Sequence, residues 1–356
     1  VENELMRAAA RGDTGQVKKL LREGYDPDAQ DDVLRNSALH FACIHRHKDV
    51  VHCLLGAGAS LSIRNRKGRI PLTEAVAKRD LDIVEALLAN GAAVNSTDSM
   101  GLTPFMEACR VGALEVACHL YQAGAPKDAR DIMGKTALIL ASTEGHRDLV
   151  EALIKHNVLI EAKDKLGWTS LSWAVFEGHV AVAELLLKCG ADPNVVDNKG
   201  RTPLMISART DHPHVCELLI RSGAVINYVD EHGRTPLFLA ASARNAEITK
   251  ILIQAGASID AKDNLGRTPL MIACFKGAIE VAEVLVQHGA NLYAESSEGH
   301  TPIICACASG NADIVALLIA NGLDVHRTNV LGLTPLRVAS LAGHRNVERL
   351  LLEKGA

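Results

Sequence analysis

The chain has 356 residues, 48% hydrophobic but only 3% aromatic, with 38 basic and 42 acidic side chains for a net charge of −4. That mildly acidic balance argues against the basic footprint of a nucleic-acid-binding protein, and no apolar run reaches the roughly 18–20 residues that span a bilayer. With so few aromatics the core has to be built from Leu, Val, Ile and Ala, and the acidic start Val1-Glu2-Asn3-Glu4 carries no signal-peptide pattern.

A length prior of about 150 residues per domain suggests two or three globules, but self-similarity takes precedence over that count. The series begins at Leu5 and Leu39, a step of 34 that places one inserted residue near Asp31-Asp32. From there glycines recur at Gly68, Gly101, Gly134, Gly167, Gly200, Gly233, Gly266, Gly299 and Gly332, every step being 33. Eleven copies follow one another without linkers as a single domain over 1–356: 1–31, 32–64, 65–97, 98–130, 131–163, 164–196, 197–229, 230–262, 263–295, 296–328 and 329–356.

Each copy reads as turn, helix, helix, loop. In Asp197-Asn198-Lys199-Gly200-Arg201-Thr202-Pro203-Leu204, Asp and Gly suit a tight turn, Thr202 is an N-cap, and Pro203 sits at the first helical position, where its missing N–H costs nothing. A short helix of small residues comes next, then a break that is often Gly-His (Gly145-His146, Gly178-His179, Gly343-His344). The second helix carries paired leucines such as Leu87-Leu88 and Leu186-Leu187, and Gly-Ala ends it with a left-handed glycine cap. The fifth copy has Asn157 at that cap, the next best residue for the conformation.

Gly-x-Thr-Pro-Leu, the small-residue helix, Gly-His, the Leu-Leu pair and Gly-Ala-x-x-Asn together resemble the ankyrin repeat over essentially the whole chain. The resemblance implies an all-α solenoid of paired antiparallel helices, stacked side by side as helix-turn-helix units, with β-hairpin fingers projecting at right angles. One departure is consistent: the His usual after Pro-Leu survives only as His40, while Met106, Ile139, Met205, Phe238, Met271 and Ile304 trade a polar link for packing. The first helix, with Glu4, Arg7 and Arg11, suits a polar end cap. The last helix is no more polar than internal ones, so the natural polypeptide is expected to continue beyond Ala356 and into further domains.

Four of the nine cysteines, Cys43, Cys109, Cys274 and Cys307, lie 66, 165 and 33 residues apart, all multiples of the repeat. A residue recurring at one slot is a packing choice, so buried reduced thiols and a cytoplasmic or nuclear location are expected. Apparent chemical motifs dissolve on the same comparison. His146-Arg147-Asp148-Leu149 imitates a kinase catalytic loop but has Leu153 where that loop needs Asn. His212, His214 and Cys216 fall short of a four-ligand zinc site, and Cys305-Ala306-Cys307 is explained by the recurring slot. Asn95-Ser96-Thr97 is a sequon that matters only on a secreted chain. No acid, base and nucleophile come together, so neither enzymatic activity, nor a metal, nor a cofactor is expected.

Function then falls to positions that the fold leaves free. The resemblance places these at the fingers flanking the turn glycine and at the two residues before the Gly-His break, which line a concave face. The fingers carry Arg66, Lys67, Arg69, Lys135, Lys165, Lys199, Arg201, Arg234 and Arg267 against Glu231 and Glu298, while acids such as Asp82, Glu151, Glu217 and Glu283 collect on second helices. Met100, Met133, Leu166, Leu265 and Leu331 precede the turn glycine, where exposure is expected. Hot spots favour Trp, Tyr and Arg, which singles out Trp168, Phe176, Arg201, Arg209, Arg234, Arg267 and Phe275 in repeats six to nine as partner-binding residues. The competing readings are plain solvated charge and finger-to-finger packing. Trp173 aligns with Ile206, Leu239 and Ile272 and is assigned to the core.

The leading functional expectation is a non-catalytic scaffold or adaptor that holds a protein partner, with an acidic peptide or domain steered into the groove. The alternatives are a recognition arm of a larger enzyme, ubiquitin ligase or channel, and a sensor of a small anionic ligand or nucleotide. The last draws on Thr103-Pro104-Phe105-Met106-Glu107-Ala108, which resembles ankyrin units of an oligoadenylate-activated ribonuclease. Neither a nucleic-acid partner nor direct membrane insertion is expected.

Overall fold

The computed structural model describes residues 3–356, and among them every regular element is an α-helix, twenty-two in all. They come as pairs, a first helix of five to eight residues (from Glu4–Arg11 to Pro335–Ala342) followed by a second of nine (from Thr14–Arg22 to Arg345–Glu353). The chain packs as two compact units, one running to Glu177 and including Lys188–Gly190, the other holding Gly178–Leu187 and Ala191–Ala356. Within the first unit, first helices pack on successive first helices as far as Ser170–Phe176, and second helices on second helices from Thr14–Arg22 through Leu114–Gln122. The second unit repeats those two rows, from Pro203–Ser207 to Pro335–Ala342 and from Pro213–Arg221 to Arg345–Glu353.

The two rows differ in composition because they differ in surroundings. A first helix has neighbours on both sides, and in Pro104–Val111 every residue from Pro104 to Cys109 is buried. A second helix faces solvent, and Leu114–Gln122 buries only Val116, Ala117 and Leu120, one stripe at helical spacing. First helices start where expected: Thr103, Thr136, Thr169, Thr202, Thr235 and Thr268 each accept a bond from the N–H three residues on. Asn157 is left-handed, at φ 53°. Met106, Ile139, Met205, Phe238, Met271 and Ile304 are buried. His40 is buried too, its Nδ1 accepting from the Ser37 N–H (3.2 Å) and its Nε2 donating to the Arg69 carbonyl of the next turn (3.0 Å). The recurring cysteines are buried free thiols, and desolvation pushes all four up, Cys307 to about 12, which makes them inert.

The anticipated β-hairpin fingers are not strands. Each finger is a turn closed on itself, as in Asp98 N–H to Leu102 carbonyl (3.0 Å) and Gly101 N–H to Asp98 carbonyl (3.0 Å). Neighbouring tips share single backbone bonds, Ser99 to Lys67, Ile132 to Met100 and Lys165 to Met133. The turn aspartate accounts for the missing ladder: Asp98 Oδ1 accepts from the N–H groups of both Met100 (2.8 Å) and Leu102 (3.0 Å), taking donors that a strand would need.

The break between helices locks one copy to the next. A Cβ on left-handed Gly12, Gly112, Gly178 or Gly310 would lie 2.6–2.7 Å from the ring of His47, His146, His212 or His344 one copy on. Those rings reach back, His47 Nε2 donating to the Ala10 carbonyl (3.0 Å), His146 to Arg110 (3.0 Å) and His344 to Ala308 (3.1 Å). At three of the places where the next copy has no ring, with Asp80, Ala113 or Ala278, the glycine gives way to Arg46, Arg79 or Arg244, all still left-handed at φ 57–63°, whereas Gly277 is kept where a Cβ would lie 2.6 Å from Asn311 Oδ1. Arg46 fills the vacated space by pairing with Asp80 (2.9 Å), and Arg244 by donating to the Gly277 carbonyl (3.1 Å). Glycine is thus required by a close side chain of the next copy, ring or amide, as much as by its own dihedral. Gly112→Ala is expected to destabilise the surrounding helices by about 1–3 kcal/mol, and by less in a His146→Ala background. Amide hydrogen exchange over Pro104–Val111 and Arg147–Lys155 measures both, and strictly additive effects would remove the proposed coupling.

Candidate partner-binding surface

The residue before the turn glycine is held by the same side chain that closes the turn, an aspartate in most copies and Asn329 for Leu331 (3.0 Å). Asp98, Asp131, Asp164 and Asp263 accept from the N–H groups of Met100, Met133, Leu166 and Leu265 at 2.8–3.0 Å. As a result Met100, Ile132, Met133 and Leu166 stand exposed along the first unit, and Leu265, Val330 and Leu331 along the second. The ends of the short helices add Phe176 (43% exposed) in the first unit and Phe275 (57%) in the second.

The two tryptophans exchange the roles given to them from sequence. Trp168 is only 7% exposed. Its N–H bonds Asp164 Oδ1 (2.9 Å), and its ring lies 4.8 Å from Trp173 and 5.4 Å from Phe176. It braces the finger against the helix and does not project as an anchor. Trp173, assigned to the core, is instead half-buried, its Nε1 donating to Asp164 Oδ2 (2.9 Å) with the Lys135 ammonium 3.5 Å from its ring centre.

The basic fingers are also less available than their number implies. Arg201, Arg234 and Arg267 each fold back onto the aspartate of their own turn in two-pronged pairs. Their Nε atoms lie 2.8, 2.8 and 2.9 Å, and their Nη2 atoms 2.6, 2.7 and 2.6 Å, from Asp197, Asp230 and Asp263. Arg69 is enclosed by Glu74 (3.8 Å), Asp98 (3.4 Å) and Glu107 (3.1 Å), and buried Glu107 also takes both prongs of Arg110 (2.8 Å each). The turn acids thus offset much of the finger charge, and Asp four residues before Arg recurs in three consecutive copies. Arg209 is exposed and, with Arg244, Asp211 and Asn245, borders an open cleft of about 380 Å3.

Of the seven residues singled out, Trp168 and Phe176 meet in the first unit. Arg201, Arg234 and Arg267 occupy equivalent places on successive turns of the second, whereas Phe275 lies at the end of a short helix there and Arg209 in the turn that follows Pro203–Ser207. The His212, His214 and Cys216 segment does not converge: His212 lies over Gly178, His214 is exposed beside Glu217 (3.8 Å), and Cys216 is buried. Among the described residues no helix is long and apolar enough to cross a membrane.

A sequence profile described as "Ankyrin repeats (3 copies)" matches residues 5–98, 105–197, 189–263, 255–329 and 291–356. The chain belongs to the ankyrin-repeat family. Among curated proteins it is similar to ankyrin repeat domain-containing protein 40 of Mus musculus and of Homo sapiens, each 36% identical over 80 residues, which is 22% of this chain and 22% of theirs. Ankyrin repeat domain-containing protein 13C of Danio rerio is 37% identical over 70 residues, 20% of this chain and 14% of that protein. The match thus spans about a fifth of the first two relatives' length. Ankyrin repeats are in general protein–protein interaction modules.

In this ankyrin array the Arg–Asp turn pairs make an acid-sensitive element. Burial pushes the Asp197 and Asp230 carboxyls up, but bonds from Arg201 and Arg234 and from turn N–H groups outweigh it and hold both below the ordinary aspartate value. A carboxyl held lower in the folded state adds stability above its unfolded value of about 3.9, and that contribution disappears as pH falls through the folded value. Asp197→Asn and Asp230→Asn are each expected to cost about 1–3 kcal/mol at pH 7 and to flatten the loss of stability below about pH 4. Hydrogen exchange of the second unit as a function of pH reads this, and an unchanged acid profile would refute it.

Proposed function

We propose that the chain is a non-catalytic protein-binding module that holds a partner polypeptide along its finger tips and the ends of its short helices. The observation that carries this is the set of apolar tips held in solvent, Met100, Met133 and Leu166 in one unit and Leu265 and Leu331 in the other, together with exposed Phe176 and Phe275 at the ends of short helices. Exposed large apolar residues concentrated on one kind of position mark interaction sites, and side chains already ordered by their turns lose little entropy on binding. The same arrangement serves a free-standing adaptor and a recognition arm of a larger protein.

The charge pairing refines the partner. With Arg201, Arg234 and Arg267 turned onto their own aspartates, attraction of an acidic segment rests on tips such as Lys67 and Lys199. The partner surface that fits is amphipathic, with apolar anchors and acidic flanks. Its binding should weaken only modestly with salt, because apolar contacts are not screened.

The test compares polypeptides captured from native extract by the unaltered chain, by a Leu265→Ser/Phe275→Ala variant, and by a Glu151→Gln control on an exposed second helix. A specific partner should be recovered at least tenfold less by the finger variant and equally by the control, with circular dichroism unchanged. Equal recovery by all three would place binding elsewhere. Trp168→Ala and Arg201→Glu are poor probes, since both disturb turn packing.

A further inference from the structure

At the finger of Gly134 the basic residue after the turn glycine lies close against a tryptophan ring, whereas the Arg267 guanidinium of a later finger stands farther from its aromatic neighbour, 5.8 Å from the centre of the Phe238 ring. In two fingers the basic residue after the turn glycine reaches across to the short helix of the next copy. Arg69 uses that reach to meet the buried Glu107 carboxylate at 3.1 Å, and three carboxylates enclose its guanidinium. Lys135, at the equivalent place, meets an aromatic face, its Nζ lying 3.5 Å from the centre of the Trp173 ring. We infer that the Trp173 face, with the carboxylates around it, is a binding site for an alkylammonium group, and that in this structure the chain's own Lys135 fills it.

Three features support a site over an incidental contact. The ring is fixed: Trp173 Nε1 donates to Asp164 Oδ2 (2.9 Å), Trp168 braces it from within at 57°, and Phe176 stands nearly perpendicular to it at 85°. The surroundings favour a cation, since the carboxylates of Asp164, Asp131, Glu144 and Glu177 all act on Lys135. The site is also reachable, because Trp173 and Lys135 are half-buried and Phe176 is exposed. Burial nevertheless holds the Lys135 ammonium below the usual lysine range, so the resident cation is not ideally solvated there.

A cation over a Trp face gains a factor of about two to thirty in occupancy, and a four-carbon stem swings away readily. Lys135 is therefore a weak internal occupant that an incoming group can displace. The natural ligand that fits is the ε-ammonium of a lysine, unmodified or methylated, on a partner polypeptide. That assignment of the natural ligand rests on the protein-binding reading above, whereas the cation site itself does not.

The experiment follows tryptophan fluorescence of the full chain on titration with choline and with its uncharged isostere 3,3-dimethylbutanol. Lys135→Ala should bind choline saturably and at least tenfold more tightly than the unaltered chain, with at least a tenfold preference over the isostere. Adding Trp173→Leu to Lys135→Ala should abolish that binding. No gain in Lys135→Ala, equal response to the uncharged isostere, or retained binding without Trp173 would each overturn the site. NMR of the unaltered chain gives a check that needs no variant: the Lys135 ε-methylene protons should be shifted upfield by the ring and return downfield as choline is added. Protons at ordinary lysine positions would refute the seat. Leu265→Ser/Phe275→Ala should bind choline unchanged, so loss of partner capture and loss of the cation site are read separately.

Discussion

The short first helix is buried on both sides, and that single constraint organises everything else. In Pro104–Val111 six consecutive residues lie inside, so the helix has no solvent face and cannot be completed by its own copy. Each copy must borrow half of its core from a neighbour. It follows that the first helices are built of small and aliphatic residues, that cysteine is tolerated where Ala or Ser also serves, and that polar residues concentrate on second helices and turns. Burial on both sides also removes these helices from direct contact with a partner along most of their length. Only their last residues, such as Phe176 and Phe275, and the turns that follow them, such as Arg209, emerge.

The contacts between copies are therefore where sequence carries the most information. Gly112 facing His146 and Arg46 facing Asp80 show two solutions written into a single chain, ring above and glycine below, or a compact residue above and arginine below, while Gly277 facing Asn311 keeps the glycine without a ring. Both solutions keep the left-handed backbone that ends the short helix, at about 1–2 kcal/mol for a non-glycine residue, which the arginine offsets with an ion pair or a carbonyl bond. This pairing was present in the sequence at a separation of 34 residues. It is invisible when copies are aligned column by column, because each column alone reads as "Gly or Arg" and "His or Ala".

Helices, caps, the left-handed Asn157 and the buried cysteine slot were all legible, because each follows from local chemistry repeated in register. The fingers were less so. A turn glycine flanked by polar residues does not reveal whether the backbone donors go to a neighbouring strand or to an aspartate side chain, and here Asp98 and its equivalents take them. The finger charge was misjudged for a related reason. Counting basic residues treats each as a point in solvent, whereas Arg201, Arg234 and Arg267 are long enough to fold back on an acid four residues earlier.

The exchange of roles between Trp168 and Trp173 shows what kind of signal was missing. Ranking by residue type favours any tryptophan beside a turn as a hot spot, but the column after the turn glycine reads Arg69, Leu102, Lys135, Trp168, Arg201, Arg234, Arg267. Leu102 in that column is buried, and a place that accepts Leu, Trp and the long stems of Lys and Arg is one where a side chain lies along the protein surface, with the arginine and lysine ends engaged by carboxylates or a ring. The column before the glycine holds Met100, Met133, Leu166 and Leu265, which point away from the protein. The difference between the two columns is one residue of turn geometry. It decides that the rare aromatic rings of the first unit are spent on bracing the finger and seating the Lys135 ammonium, and that the aliphatic tips are left in solvent.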